Sequence, residues 1–334
     1  FFLTDNYFSR DLNKIKDYKP SLFERILKKN IRLDYQYKNI IINRFIKKNN
    51  IEVFHQPNFI GFDAKTKNII TVHDLSWLHF PEFFLKRELD YFKLFFEKSI
   101  KSAFKVIVHS NFVKQELNLI YNISDSKIKV IHEDLRQEFK ILDENKCLNF
   151  LNKFNLKYKK FILILNTLDN RKNYKFILDV YDSLSDSIKK NFPLIIAGMP
   201  GRNSEEIINK ISKVKNCFYI GYLNENYLNQ CYSSAKILIY PSLYEGFGIS
   251  PLESMASGTP VVASSIESSK EILGESSILV EIKEKSSWIK SISEILDDKN
   301  KYEDFVNRGL NKSTNFTKGT TSKNILKLYK ELES

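Results

Sequence analysis

A chain of 334 residues is longer than one hydrophobic core usually supports, and its 43% apolar and 13% aromatic content suits two cores rather than a disordered chain. Its three cysteines, Cys147, Cys217 and Cys231, are too few and too scattered for a disulfide framework or a metal cage, and fit a reducing, cytosolic compartment. The net charge of +12 calls for an anionic partner or a lysine-rich solvated face; without zinc-finger spacing, basic heptads or aromatic RNA-binding motifs, nucleic acid is not expected.

The chain opens on FFLTDNYF, an apolar strand pattern with no initiating methionine and no signal-peptide pattern, as if cut away from something before it. The first fifty residues hold 12 Lys/Arg against 5 Asp/Glu, which reads as a solvated helical face or as a docking surface for anionic lipid. No run of about 18 apolar residues follows, so no membrane-spanning helix is expected. IEVFHQ (51–56), NIITVHD (68–74), KVIVHS (105–110) and IKVIHE (128–133) read as buried strands, and RELDYFKLFFEKSIKSA (87–103) has helical spacing. The charged stretch 142–160 separates the halves. Beyond it come KFILILNT (160–167), FPLIIAGM (192–199), NCFYIGYL (216–223), AKILIYPS (235–242) and TPVVASS (259–265).

Strands alternating with helices predict an α/β fold of parallel sheets covered on both faces. The expected organisation is a first doubly wound domain over 1–150, a second over 151–318, and a closing helix over 319–334 that packs back toward the first. In such folds ligands sit beyond the carboxyl ends of the strands, so the residues that end each apolar run are the candidates.

The most informative of these is YEGFGISPLESMASGTPVV (244–262). Gly246 and Gly248 allow close backbone approach or a positive φ, Ser250 is placed to cap a helix and Pro251 to open it. Glu253 then falls in the first turn and Gly258 closes the helix. Free N–H groups at that N-terminus suit an anion, and Glu245 and Glu253 suit sugar hydroxyls. The plainer alternative is a turn with a favourable first-turn acid. NTLDNRKN (166–173) brings Arg171 and Lys172 to a strand end, as countercharge for a pyrophosphate or as a surface basic pair. His73 and Asp74 end another strand, Ser110 a third, and Gly221 turns the chain after CFYI.

With these residues in place, PSLYEGFGISPLESMASGTPVVAS resembles the signature of retaining glycosyltransferase family 4, a GT-B fold family with a Glu-x7-Glu motif, met by Glu245 and Glu253. LNTLDNRKN, LIIAG, FYIGYL, SSKEILGESSILV and TNFTKGTTSKNILKLYKEL continue the resemblance across the second half. VFHQPNF, TVHDLSWLHFPE and VIVHSNFVKQEL are similar to segments of bacterial mannosyltransferases that build O-antigen and related polysaccharides.

The resemblance implies two Rossmann-like domains facing across a cleft, an acceptor domain first and a nucleotide-sugar domain second. It implies that Glu253 binds the donor ribose, and that Glu245 with the amides of Phe247 and Gly248 holds the transferred sugar. Gly221, Gly246 and Ile249 join the donor contacts. Lys172, with Arg171, stabilises the diphosphate leaving group, and His73, with Asp74 and Ser110, lines the acceptor side. His73, Lys172 and Glu245 are the implied catalytic residues.

The implied reaction is hexosyl transfer to an acceptor hydroxyl with retention, by same-face attack assisted by the leaving phosphate and without a metal. GDP-mannose is the favoured donor, with UDP-N-acetylglucosamine, UDP-glucose and GDP-rhamnose open. The implied acceptor is a glycan or lipid-linked saccharide, met in the cytoplasm or at the inner face of the membrane.

The sequence departs from the family at Asn166 and Thr167 in the pyrophosphate loop, which leaves either Arg171 as the substitute arginine or a weaker hold on the donor. It departs again at IHEDLRQEF, which lacks the usual Asn-Gly turn, and at its start, where the family's opening strand and glycine-rich acceptor loop are not found. Other GT-B readings, an epimerase above all, and a silent nucleotide-sugar-binding protein are the alternatives.

Overall fold

The computed structural model describes Phe2–Thr4, Tyr7–Ser9, residues 29–202 and residues 204–333. Strands β1 (Phe2–Thr4) and β2 (Tyr7–Ser9) pair antiparallel with Phe2 opposite Ser9, so the opening pattern is a hairpin and not one strand. Helix α1 (Ile31–Lys48) follows, its first N–H groups taken by the Asn30 side chain.

The first parallel sheet has the order β3-β4-β5-β6: Val53–Gln56, Lys67–Val72, Lys105–Val108 and Ile128–Val130. Successive residues point to opposite faces. Ile70, Val72, Val106 and Val108 pack under α3 (Lys86–Ser102) and α4 (Asn111–Tyr121) with Phe96, Ile100, Val113 and Leu117. Ile69 and Ile107 face the other way, against Leu328 and Leu332 of α14 (Thr320–Glu333). Short α2 (Ser76–His79) lies between β4 and α3.

The second sheet is parallel in the order β12-β11-β10-β7-β8-β9. Its strands are β7 (Ile162–Leu165), β8 (Leu194–Ala197), β9 (Cys217–Tyr219), β10 (Ile237–Tyr240), β11 (Val261–Ser264) and β12 (Ile278–Val280). Phe161 and Leu163 join one core while Ile162 and Ile164 join the other, so helices cover both faces. On one side lie α5 (Glu144–Phe154), α9 (Glu225–Ser234) and α10 (Ile249–Ala256). On the other lie α6 (Tyr174–Asp182), α8 (Ser204–Ile211) and α12 (Lys285–Asp297), with α7 (Asp186–Asn191) at the end of α6. Helix α11 (Glu267–Ile272) precedes β12, and α13 (Lys299–Ser313) packs on α10.

Two Rossmann-like α/β domains therefore face one another across a cleft. Leu135, Phe139 and Leu142 already belong to the second core, so the chain has crossed over before α5 begins. It crosses back in α14, where Tyr329 Oη lies 2.5 Å from His55 Nδ1 and Lys67 Nζ donates to the Leu332 carbonyl.

The facing halves make specific contacts. Tyr244 Oη donates to Glu116 Oε2 (2.5 Å) and accepts from the Leu75 amide (3.0 Å). Glu271 accepts the Asn111 and Phe112 amides at 2.7 and 2.8 Å, putting a carboxylate on the positive end of α4 across the divide.

Candidate functional site

Strand β10 ends at Tyr240 and hands the chain to the loop that carries Glu245. Glu245 is buried between two cations from the turn after β7: Lys172 Nζ donates to its Oε1, and Arg171 Nη1 to its Oε2 at 3.3 Å. The turn is set by Asp169, whose side chain accepts the Arg171 amide at 2.8 Å, and by Asn173 at φ 59°. Arg171 also donates to the Tyr244 carbonyl at 2.9 Å. Burial alone would push the Glu245 carboxyl up, but the charges of Lys172 and Arg171 outweigh it and hold its pKa at about 2.

Arg171 and Lys172 are thus an inward-facing pair and not a surface one. Both cations meet the one Glu245 carboxylate, and the charges of Asp74 and Asp169 also act on Arg171. Nearby, Asn166 Nδ2 is buried with no hydrogen-bond partner at the end of β7.

Helix α10 starts two residues earlier than the Ser-Pro pattern implies. Gly248, at φ 94°, is its N-cap, no side chain caps it, and Ser250 and Pro251 lie inside the first turn. The positive φ is available because glycine has no Cβ, and it moves the start ahead of Ser250. The first N–H groups of α10 are therefore left without a side-chain acceptor, which suits an anion better than a capped end would.

The same shift places Glu253 in the second turn instead of the first. It is fully buried, and both its oxygens are engaged: Arg136 Nε and Nη2 donate at 2.6 Å each, and Tyr232 Oη donates at 3.0 Å. That bidentate bond is the main cause that raises the Arg136 pKa above its ordinary value. Arg136 lies in IHEDLRQEF; only the missing Asn-Gly turn drew notice there, and no local pattern tied it to a residue 117 positions away.

Gly246 serves a different approach from the one its motif implies. A Cβ there would lie 1.9 Å from the His73 carbonyl oxygen, so the close neighbour is the first domain's β4 end. His73 Nε2 faces the Pro57 carbonyl at 3.0 Å and its Nδ1 lies 3.1 Å from His109 Nε2. Asp74 accepts from the Ser76 amide (2.9 Å) and hydroxyl (2.6 Å). Ser110 is buried, caps α4 by accepting the Val113 amide at 3.2 Å, and donates to the Gly246 carbonyl at 2.6 Å. Phe247 is buried against the rings of His132 and Phe316, each 5.8 Å away. Gly221 has φ 80° with open space around it, and Gly258 follows α10 at φ 72°.

A cavity of about 1000 Å³ lies between the halves, with Phe59, Asp74 and Ser76 on one wall and Asp169, Arg171 and Arg202 on the other. Of the sequence candidates it takes in Asp74 and Arg171; Glu245, Lys172 and Glu253 lie in their mutual contacts outside its lining. The residues missed by sequence reasoning are those that join the two domains: Glu116, Tyr244, Glu271 and Arg136. Burial raises the Glu116 carboxyl despite the opposing pull of Tyr244 and His79.

The family described as Glycosyl transferases group 1 matches residues 149–312, and that described as Glycosyltransferase Family 4 matches residues 8–133. The O-antigen chain mannosyltransferase B of Escherichia coli is 26% identical over 283 residues, 84% of this chain and 74% of the relative. The chain is a GT-B glycosyltransferase related to bacterial mannosyltransferases. The O-antigen chain mannosyltransferase RfbU of Salmonella typhimurium is 27% identical over 244 residues, 72% of this chain and 64% of its own length. Among solved structures, a sucrose-phosphate synthase from Thermosynechococcus elongatus superposes with a TM-score of 0.69 at 19% identity, over 94% of this glycosyltransferase and 80% of the other chain.

Proposed function

We propose that this glycosyltransferase moves a hexose, mannose foremost, from a nucleoside-diphosphate sugar to a hydroxyl of a glycan or lipid-linked saccharide in surface-polysaccharide assembly, with retention at the anomeric carbon. The observation that carries the reading is the buried Arg171–Glu245–Lys172 group, which brings two cations into the loops that lead to the uncapped N-terminus of α10. Charge develops on the diphosphate as the anomeric C–O bond breaks, and fixed cations in a water-poor site stabilise it without reorganising.

In this reading Lys172 and Arg171 take the diphosphate, and Asn166 offers it a further donor. Glu245, with the amides of Phe247 and Gly248, holds the transferred sugar, and Ile249, Gly246 and Gly221 complete the donor contacts. Glu253 takes the ribose hydroxyls in place of the half-exposed Arg136 guanidinium, which swings away as the donor enters. His73 lies on the acceptor side, with Asp74 and Ser110. A carboxylate with a pKa of about 2 is a weak base and a shielded nucleophile, so Glu245 acts by position and charge. The acceptor hydroxyl adds to the anomeric carbon on the face the phosphate leaves, and its proton passes to the departing phosphate oxygen. No residue is asked to supply a metal's charge in this sequence of events.

Among the described residues no helix is long and apolar enough to cross a membrane. The net charge of +12 supports a peripheral seat on anionic lipid at the cytoplasmic face, where a lipid-linked acceptor would be met. A second reading rests on Arg171 and Lys172, both engaged by Glu245 and so drawn away from a departing diphosphate: a protein that binds nucleotide sugar without turning it over.

The test is donor turnover, with and without a lipid-linked oligosaccharide acceptor, across GDP-mannose, UDP-glucose and UDP-N-acetylglucosamine. Each donor is paired with a thermal shift on wild type and Glu253→Ala. Acceptor-dependent turnover of GDP-mannose is expected, with a shift lost in the variant. Binding without turnover gives the second reading, and a UDP-sugar preference removes mannose.

A further inference from the structure

The His73–His109 pair carries a feature beyond the acceptor-side role proposed for His73. Both imidazoles are anchored through their outer nitrogens to carbonyls: His73 Nε2 to Pro57 O at 3.0 Å and His109 Nδ1 to Ile131 O at 2.9 Å. A carbonyl only accepts, so both outer nitrogens carry hydrogen. In the neutral rings the inner nitrogens, His73 Nδ1 and His109 Nε2, then present bare lone pairs to one another at 3.1 Å. Glu133 adds a third: its Oε1 lies 3.6 Å from His109 Nε2 and 4.0 Å from His73 Nδ1.

Three lone pairs converging in this way need a positive charge between them. A tetrahedral zinc ion with bonds of roughly 2.0–2.2 Å holds its donors about 3.4 Å apart, and the separations of 3.1, 3.6 and 4.0 Å bracket that value. We propose that His73, His109 and Glu133 form a binding site for a divalent transition-metal cation of the zinc class.

The donor set of two imidazoles and one carboxylate is one that zinc accepts, with a fourth position left for water or another oxygen ligand. The backbone carbonyls behind each ring are the outer partners that fix the tautomer and orientation of a metal-bound histidine. His73 and His109 directly follow the adjacent strands β4 and β5, so their spacing is held by the sheet, and Glu133 comes from the segment that leaves β6. His109 is buried, while the His73 and Glu133 side chains are 40% and 35% exposed, which leaves the ion a way in. All three ligands belong to the first domain, and because His73 is also the residue proposed for the acceptor side, the ion would sit beside the acceptor.

The experiment is a titration of the metal-stripped full chain with Co2+, followed by its visible d–d absorption, and equilibrium dialysis with Zn2+. One equivalent should bind per chain with the intense spectrum of a four-coordinate ion. His109→Ala should abolish it and Glu133→Gln should weaken it at least tenfold. His132→Ala, which removes an imidazole directed at Glu271, should leave it unchanged. Glu133→Gln keeps the test open should the buried His109 change impair folding. No stoichiometric binding would overturn the proposal and leave a proton as the bridging charge. Binding that is equal in wild type, His109→Ala and Glu133→Gln would overturn it too.

Discussion

Replacing Glu245 by Gln removes one charge from the buried Arg171–Glu245–Lys172 group while keeping its size and much of its hydrogen bonding. The carboxyl is held at about 2 against an ordinary 4.5, a difference of roughly 2.5 pH units, which corresponds to about 3 kcal/mol of stability at neutral pH. Because the folded-state pKa is depressed, this contribution is complete above the unfolded value and is lost as pH falls toward 2. Relative to wild type the variant should therefore lose about 3 kcal/mol at pH 7, and the gap should shrink by more than a third by about pH 3.5. Urea is the right denaturant, since guanidinium would screen the charges under test. Trp288 lies buried in the second domain's core and Trp77 in the first, so a Trp77→Phe background makes fluorescence report on the domain that holds Glu245. Trp77 Nε1 has no hydrogen-bond partner, so this background change sacrifices no bond. Equal midpoints at pH 7, or a gap that persists unchanged at pH 3.5, would show that the charge group does not act as described.

Lys172→Ala should slow transfer by about 10²- to 10³-fold with a smaller change in KM, because its cation matters most as the diphosphate departs; steady-state kinetics with the preferred donor would show it. Gly246→Ala places a methyl 1.9 Å from the His73 carbonyl, and the forced backbone shift should cost about 1–3 kcal/mol and loosen the contact between domains, read as a lower Tm and faster limited proteolysis. Arg136→Ala strips the bidentate partner from fully buried Glu253 and should cost about 2 kcal/mol in urea unfolding, moderated by the exposure of the guanidinium, with Arg136→Lys recovering only part of it.

Most of the fold is legible in short apolar runs. ILIL, LIIA, ILIY and VVAS alternate between two faces and are nearly all buried, which is what a parallel sheet covered on both sides requires. Strand β12 escapes notice because ILV is flanked by the polar Ser277 and Glu281, whereas the equally short β6 and β9 run on into Ile131 and Ile220. Within the site, Glu245, Arg171 and Lys172 can be found because each ends an apolar run, and a charge there has few reasons to exist apart from a ligand or one another. The start of α10 is misread because Ser-Pro is a good local signal, but Gly248 can adopt a left-handed φ and begins the helix sooner. Arg136, Tyr244 and Glu271 are illegible for another reason: each meets its partner in a segment over a hundred residues distant, and nothing in local spacing records such a pairing.

Helix α14 has a consequence for the order in which the molecule can be made. Ile69, Ile107 and Ile131 of the first domain wait for Leu328 and Leu332, which leave the ribosome only after the whole second domain has been synthesised. The second domain closes both faces of its sheet from residues 135–316, while among the described residues Ile69, Ile107 and Ile131 of the first domain find their buried apolar partners, beyond one another, only in α14. Domains usually complete themselves from the amino end as they emerge. Here the domain made first is finished last, and its unroofed sheet is the surface a chaperone would find to hold during the interval.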